Sequence, residues 1–137
     1  MTQNIHATCI SINKKGVLFL GKSGAGKSDM ALRLIASQKA KLVADDRVEI
    51  WIQKNRLKAR APIQIKNLLE VRNVGIIEIK SLSSVYIELA IELTNEQLER
   101  MPEESFYEIE GLKIPLIKLN PFESSAPAKI LAALRLL

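Results

Sequence analysis

Aromatic side chains are scarce in this sequence: one Trp, two Tyr and three Phe make up 4% of 137 residues. Single-stranded nucleic acid is bound by stacking bases on aromatics, and nucleic-acid surfaces gather their Lys and Arg into patches. The basic residues here are scattered along the chain, so no nucleic-acid partner is expected. Cys9 is the only cysteine, which excludes an intrachain disulfide. No apolar run approaches the roughly 20 residues that cross a bilayer, and no membrane association is expected. The start, Met1-Thr2-Gln3-Asn4, lacks the basic residues and apolar stretch of a secretory leader, so the expected compartment is a reducing cytoplasm. Internal repeats, low-complexity linkers and composition breaks are also missing. Residues 1–137 therefore read as one domain, of the length that builds a single layered core.

What is present is an ordinary globular balance, 47% hydrophobic and 26% charged, with an uneven distribution of sign. Residues 1–80 hold fifteen Lys and Arg against six Asp and Glu, and the remainder holds five against nine. The net charge of +5 thus comes from the first half. A positive field there suits the phosphates of a nucleotide or an acidic protein partner.

The element order is mixed α/β and rich in strands. Ile5, Ala7 and Cys9, with Ile10 and Ile12 on the other face, mark a strand, and Asn13 to Gly16 turns it into the buried run Val17 to Leu20. Lys27 to Ser37 has the period of a helix, with Ala31, Leu34 and Ile35 in one stripe. Lys41 to Ala44 is a short strand ending on Asp45-Asp46. Val48 to Ile52 and Arg56 to Ala61 form a hairpin about Lys54-Asn55, and Pro62 ends it. Ile65 to Val71 reads as a short helix before Gly75, followed by strands at Ile76 to Ile79 and Val85 to Leu93. Glu110-Gly111 is the turn of a hairpin between Phe106 to Ile109 and Leu112 to Leu119. Ser124 or Ser125 would cap a terminal helix with Pro127 in its first turn, running from Ala128 to Leu137. That helix is apolar nearly all round, which suits either its own core or a second copy of the chain.

One motif carries chemistry. Gly21, Lys22, Ser23, Gly24, Ala25, Gly26, Lys27 and Ser28 satisfy G-x-x-x-x-G-K-[ST], with an apolar strand before and a helix after, the context a Walker A loop requires. Its glycines let successive N–H groups point inward, and the helix adds its free N–H groups and positive dipole end. Lys27 would reach the β- and γ-phosphates of ATP, and Ser28 would ligate Mg²⁺. Such a loop binds a nucleotide without choosing the reaction. Asp45-Asp46, at the carboxyl end of a strand, is its natural partner, because ligands of open α/β sheets lie beyond that end. One carboxylate could hold the Mg²⁺ and the other take a proton from an attacking hydroxyl. The pair reads equally well as a polar turn.

At these residues the chain resembles the bacterial HPr kinase/phosphorylase family, in its short, alphaproteobacterial-type form that has only the C-terminal catalytic domain. The resemblance rests on the loop Gly21 to Asp29, on Leu42-Val43-Ala44-Asp45-Asp46-Arg47-Val48, and on Leu69-Glu70-Val71-Arg72-Asn73-Val74-Gly75-Ile76-Ile77. The last matches E-x-R-G-L-G-I-I except at Asn73 and Val74. The resemblance implies a P-loop kinase core of the phosphoenolpyruvate carboxykinase-like type, a mixed sheet with flanking helices. It implies ATP- and Mg²⁺-dependent phosphorylation of a serine on HPr, the phosphocarrier of the bacterial sugar phosphotransferase system. It also implies roles: Glu70 as a Mg²⁺ ligand, Asp46 beside Asp45 as the group exchanging a proton with the serine, His6 as an active-site histidine, and Arg100 as an arginine reaching the transferring phosphoryl. Full-length members carry a Gly- and Arg-containing loop tied to removal of the phosphate. Asn120 to Lys129 has neither residue, so the kinase direction is the expected one and reverse phosphorolysis stays open. Two other readings share the same loop: a kinase for a small metabolite, and an ATP-binding regulator without catalysis.

Overall fold

The computed structural model describes all 137 residues. Eleven strands and two α-helices follow one another as β1 (Gln3–His6), β2 (Thr8–Ile12), β3 (Lys15–Leu20), α1 (Lys27–Ala36), β4 (Lys41–Ala44), β5 (Arg47–Gln53), β6 (Arg56–Arg60), β7 (Leu68–Val71), β8 (Gly75–Glu78), β9 (Val85–Leu93), β10 (Ser105–Ile109), β11 (Leu112–Leu119) and α2 (Ala126–Leu134). A 3₁₀ turn, Ile63–Ile65, follows β6.

Nine strands form one curled sheet, and β7 and β8 form a separate pair. β9 is the hub. It pairs with β3 in parallel along one side, while its other side meets β6 antiparallel at Val85 and Tyr86 and then β11 in parallel from Ala90 to Leu93. The sheet thereby branches into a portion β4-β2-β3-β9-β11-β10 and a portion β1-β5-β6. A bulge marks the branch: Gly16 faces Ile87 and Val17 faces Leu89, leaving Glu88 as the extra residue. The one-residue slip sends Val85 and Ile87 to one core and Leu89, Ile91 and Leu93 to the other.

Those two cores give three layers. Met30, Ala31 and Leu34 of α1 and Ala126, Ile130 and Leu134 of α2 pack with Ile10, Ile12, Val17 and Phe19 on one face. Alternate residues of the same strands, Cys9 and Leu18, point to the opposite face and meet Val48, Ile50, Leu57 and Ala59 of the β1-β5-β6 portion. Both helices therefore flank the same face, and the other is covered by the sheet folding back.

Four expectations need correction. The strand from Ile5 to Ile12 is divided at Ala7, because the chain passes there from one portion of the sheet to the other. Ile65 to Val71 is not a helix: Leu68 to Val71 is strand β7, paired with β8 through Leu69↔Ile77 and Glu70↔Ile76. A reversal at Asn73, φ 70, lets those segments pair with each other. Neither serine caps α2 with its side chain; Ser125 occupies the cap position in a helical conformation, and Pro127 lies in the first turn as expected. The terminal helix ends at Leu134, and its stripe Ala126, Ile130 and Leu134 closes the chain's own core.

Candidate active site

Strands β3, β4, β9 and β11 run in the same direction, since β9 is parallel to both β3 and β11 and β4 is two antiparallel steps from β3. Their carboxyl ends deliver four segments to one edge: the Gly-rich loop after Leu20, Asp45-Asp46 after Ala44, residues 94–104 after Leu93, and Asn120 to Ser125 after Leu119. That edge is where ligands of such sheets bind.

The loop Gly21 to Ser28 is held tightly. Gly21 sits at φ 143, where a Cβ would come within 2.9 Å of the Leu93 carbonyl oxygen, so only glycine fits against β9. Ala25 N–H donates to the Lys22 carbonyl at 2.9 Å, which closes the turn around Ser23 and Gly24. α1 has Gly26 at its cap position with no side-chain capping bond, so no capping side chain takes up its first N–H groups. This is the chemistry an anionic phosphate needs. Lys27 is buried, and its Nζ donates to the carbonyls of Gly21 at 2.8 Å and Lys22 at 2.9 Å. Burial pulls its ammonium pKa below the ordinary lysine value, with the Asp46 and Asp45 carboxylates pulling the other way. A desolvated cation beside a helix start that no side chain caps fits a polyphosphate.

The two aspartates are placed in different surroundings. Asp45 is buried, and its Oδ1 accepts from Ser28 Oγ at 2.6 Å and from Thr8 Oγ1 at 2.9 Å, while Oδ2 accepts from the Glu70 N–H at 3.1 Å. Asp46 is 69% exposed in its side chain, and its Oδ1 lies 3.3 Å from His6 Nε2. Its backbone, at φ 73, is the centre of a tight turn in which Arg47 N–H donates to the Asp45 carbonyl at 2.9 Å. A three-residue turn of this hand, with its central residue at positive φ, is the rare and strained form. Both corners of the sheet coincide here: Ala7 between β1 and β2 donates its N–H to the Asp46 carbonyl at 3.3 Å. Because the chain passes at Ala7 from β1 to β2, His6 and Thr8 do not share a strand face: exposed His6 meets Asp46 and buried Thr8 meets Asp45.

The structure thus brings together Gly21 to Ser28, Asp45, Asp46, His6 and the backbone of Glu70. The Glu70 residue is exposed and adjoins Asp45 through its N–H, and no hydrogen bond or ion pair joins its carboxylate to the others. Arg100 lies exposed in the segment after β9, at the same edge, likewise without a hydrogen bond or ion pair to the group. The oxygen donors of Ser28 and Asp45 are hard ligands of the kind Mg²⁺ prefers, and they face the loop. Sequence reasoning missed Thr8, whose signal was a hydroxyl within the apolar run Ala7 to Ile10. It also missed Pro121, whose ring would lie 3.3 Å from a Cβ at Gly26, and Arg33, which bonds the Pro121 and Glu123 carbonyls.

A curled mixed sheet with two helices on one face, and a loop of Walker A sequence facing an aspartate pair at its carboxyl edge, define the class: a mixed α/β protein of the HPr kinase type of fold. The chain belongs to the family of the HPr Serine kinase C-terminal domain, whose model matches residues 1–134. It is 40% identical over 123 residues to the HPr kinase/phosphorylase of Caldanaerobacter subterraneus subsp. tengcongensis, a match covering 87% of this chain and 40% of that protein. It is 35% identical over 128 residues to the HPr kinase/phosphorylase of Cupriavidus necator, covering 85% and 39%. The chain spans about two fifths of the length of these curated relatives. Among solved structures, the HPr(Ser) kinase/phosphatase from Coxiella burnetii matches with a TM-score of 0.84 at 26% identity, over 97% of this chain and 94% of that one.

Proposed function

We propose that this chain is a catalytic domain that transfers the γ-phosphoryl group of ATP, with Mg²⁺, to a serine of HPr in the cytoplasm. The fold is then a P-loop kinase core of the phosphoenolpyruvate carboxykinase-like type. The observation that carries the reading is the division of labour between the aspartates: Asp45 is buried against the loop serine, and Asp46 is turned out to solvent against a histidine. In phosphate-binding loops an aspartate joined to the loop serine belongs to the metal site. That leaves Asp46 to meet the acceptor.

In this mechanism the N–H groups of Gly21 to Ser28 hold the phosphates, and Lys27 turns from the Gly21 and Lys22 carbonyls to the β/γ-phosphates. Ser28, Asp45 and Glu70 are the residues that would hold Mg²⁺, which when bound offsets the charge developing on the phosphoryl oxygens. Asp46 accepts the serine hydroxyl proton, and His6, 3.3 Å away, keeps its carboxylate oriented. Arg100 reaches the transferring group from the segment after β9. An acceptor on a protein surface suits a base as open as Asp46, whereas a metabolite kinase needs an enclosing pocket.

The test is to incubate the purified chain with γ-labelled ATP, Mg²⁺ and HPr from the same cell and to map the phosphate by mass analysis. Serine phosphate on HPr that vanishes in Asp46→Asn and in Lys27→Ala supports the proposal. Tight ATP binding without transfer would remove it. Adding inorganic phosphate to the product then asks whether the reverse phosphorolysis operates.

A further inference from the structure

The three phenylalanines are treated differently by the fold. Phe19 is fully buried and Phe106 lies beneath the Lys113 ammonium, but Phe122 is 75% exposed. A phenyl ring left in water forgoes the stabilisation of burial. Its loop is not loose. The Phe122 N–H donates to Asn120 Oδ1 at 2.9 Å, and Arg33 of α1 donates to the carbonyls on either side of it, Pro121 at 2.6 Å and Glu123 at 3.2 Å. Lys129 of α2 holds the Glu123 carboxylate at 2.9 Å. The backbone on both sides of the exposed ring is therefore fixed to the helices.

Its position adds direction. Phe122 follows β11, two strands from β3 across β9, and leaves the sheet at the phosphate-loop edge. Pro121, next to it in the chain, lies with its Cβ and Cγ 3.3 Å from where a Cβ of Gly26 would be. Gly26 is the end of the loop from which α1 starts. In a Walker A loop the N–H groups cradle the α- and β-phosphates and the lysine reaches the β/γ end, so ribose and base extend from the α-phosphate end toward the segments that border the loop.

From this juxtaposition we infer that Phe122 is the stacking platform for the base of the bound nucleotide, with Arg33 as the positioning residue that holds the platform. The inference rests on the reading of Gly21 to Ser28 as a nucleotide site. A phenyl face offers area and no hydrogen-bond pattern, so this contact serves adenine and guanine alike.

The experiment measures equilibrium binding of ATP, GTP and base-free tripolyphosphate, each with Mg²⁺, to the full chain and to Phe122→Ala and Phe122→Tyr. Phe122→Ala should weaken ATP and GTP about tenfold, the effect of one lost base stack. Phe122→Tyr should restore both, tripolyphosphate should bind all three proteins equally, and the melting temperature should not move. Undiminished ATP affinity in Phe122→Ala overturns the platform while leaving the nucleotide site standing. So does a parallel loss of tripolyphosphate, which would mean a damaged loop. A wild-type chain that binds neither ATP nor tripolyphosphate refutes the nucleotide reading itself, and the inference with it.

Discussion

Ser28 Oγ donates a 2.6 Å hydrogen bond to Oδ1 of Asp45, the same oxygen that accepts from Thr8 at 2.9 Å. The bond ties the first turn of α1 to the end of β4 across the core of the candidate site. Asp45 is buried, so Asp45→Ala leaves two hydroxyls and the Glu70 N–H without their acceptor. Urea unfolding should show a loss of about 2–4 kcal/mol. Asp45→Asn keeps an oxygen in place and should lose less. Mg²⁺-dependent ATP binding should fall in both, and the effects of Ser28→Ala and Asp45→Asn should not add, because the two groups share one bond.

Asp46→Asn is expected to behave in the opposite way. The side chain is 69% exposed, and Asn tolerates the φ of 73 as well as Asp does, so the melting temperature should be that of the parent. ATP affinity should also persist. Transfer to the acceptor should drop by roughly 10³-fold, the scale of a lost general base. A variant that melts normally, binds ATP and still transfers at the parental rate would remove Asp46 from the proposed chemistry.

The contrast between these aspartates shows what the sequence could and could not disclose. The Walker loop, its strand and helix, and the aspartate pair at the end of β4 are legible because each is local: a spacing, a periodicity, a glycine. The pairing of Asp45 with Ser28 and Asp46 with His6 is not, since it depends on Ala7 and Asp46 meeting at a common corner of the sheet. The same cause divides the strand at Ala7. The error at Ile65 to Val71 has a different origin. Leu68, Leu69 and Val71 fit helical spacing as well as strand alternation in so short a run, and the partner strand that decides lies beyond Asn73. Arg33 escaped notice because its partners, Pro121 and Glu123, are distant in sequence.

Cys9 offers a test of the core on the sheet side away from the helices. It is fully buried, and burial pushes its thiol far above the unfolded value of 9.0. The fold holds the neutral thiol, whereas the unfolded chain releases the proton above that value. The stabilisation is therefore complete below pH 9 and is lost progressively as pH rises beyond it. Cys9→Ala should flatten that alkaline loss in a pH series of unfolding curves. Iodoacetamide at pH 8.5 should leave the native chain unmodified and label it only in denaturant.

Leu69 separates the hairpin's packing from its chemistry. It is the one fully buried residue of β7–β8, and its strand β7 lies against α1. Its neighbour Glu70 gives the N–H that Asp45 accepts. Leu69→Ala removes the anchor, a change that costs about 2–5 kcal/mol in a well-packed core. Because this pair has no strand bond to the nine-stranded sheet, the cost should appear as local opening. Amide exchange should accelerate across residues 68–78 while β3 and β9 stay protected, and more Mg²⁺ should be needed for half-maximal transfer as the hairpin leaves Asp45. Glu70→Ala keeps both Leu69 and the N–H, so it should raise the Mg²⁺ requirement with no change in exchange. If Leu69→Ala opens the hairpin and the Mg²⁺ requirement stays at the parental level, the hairpin is a structural cover and Glu70 has no part in holding the metal.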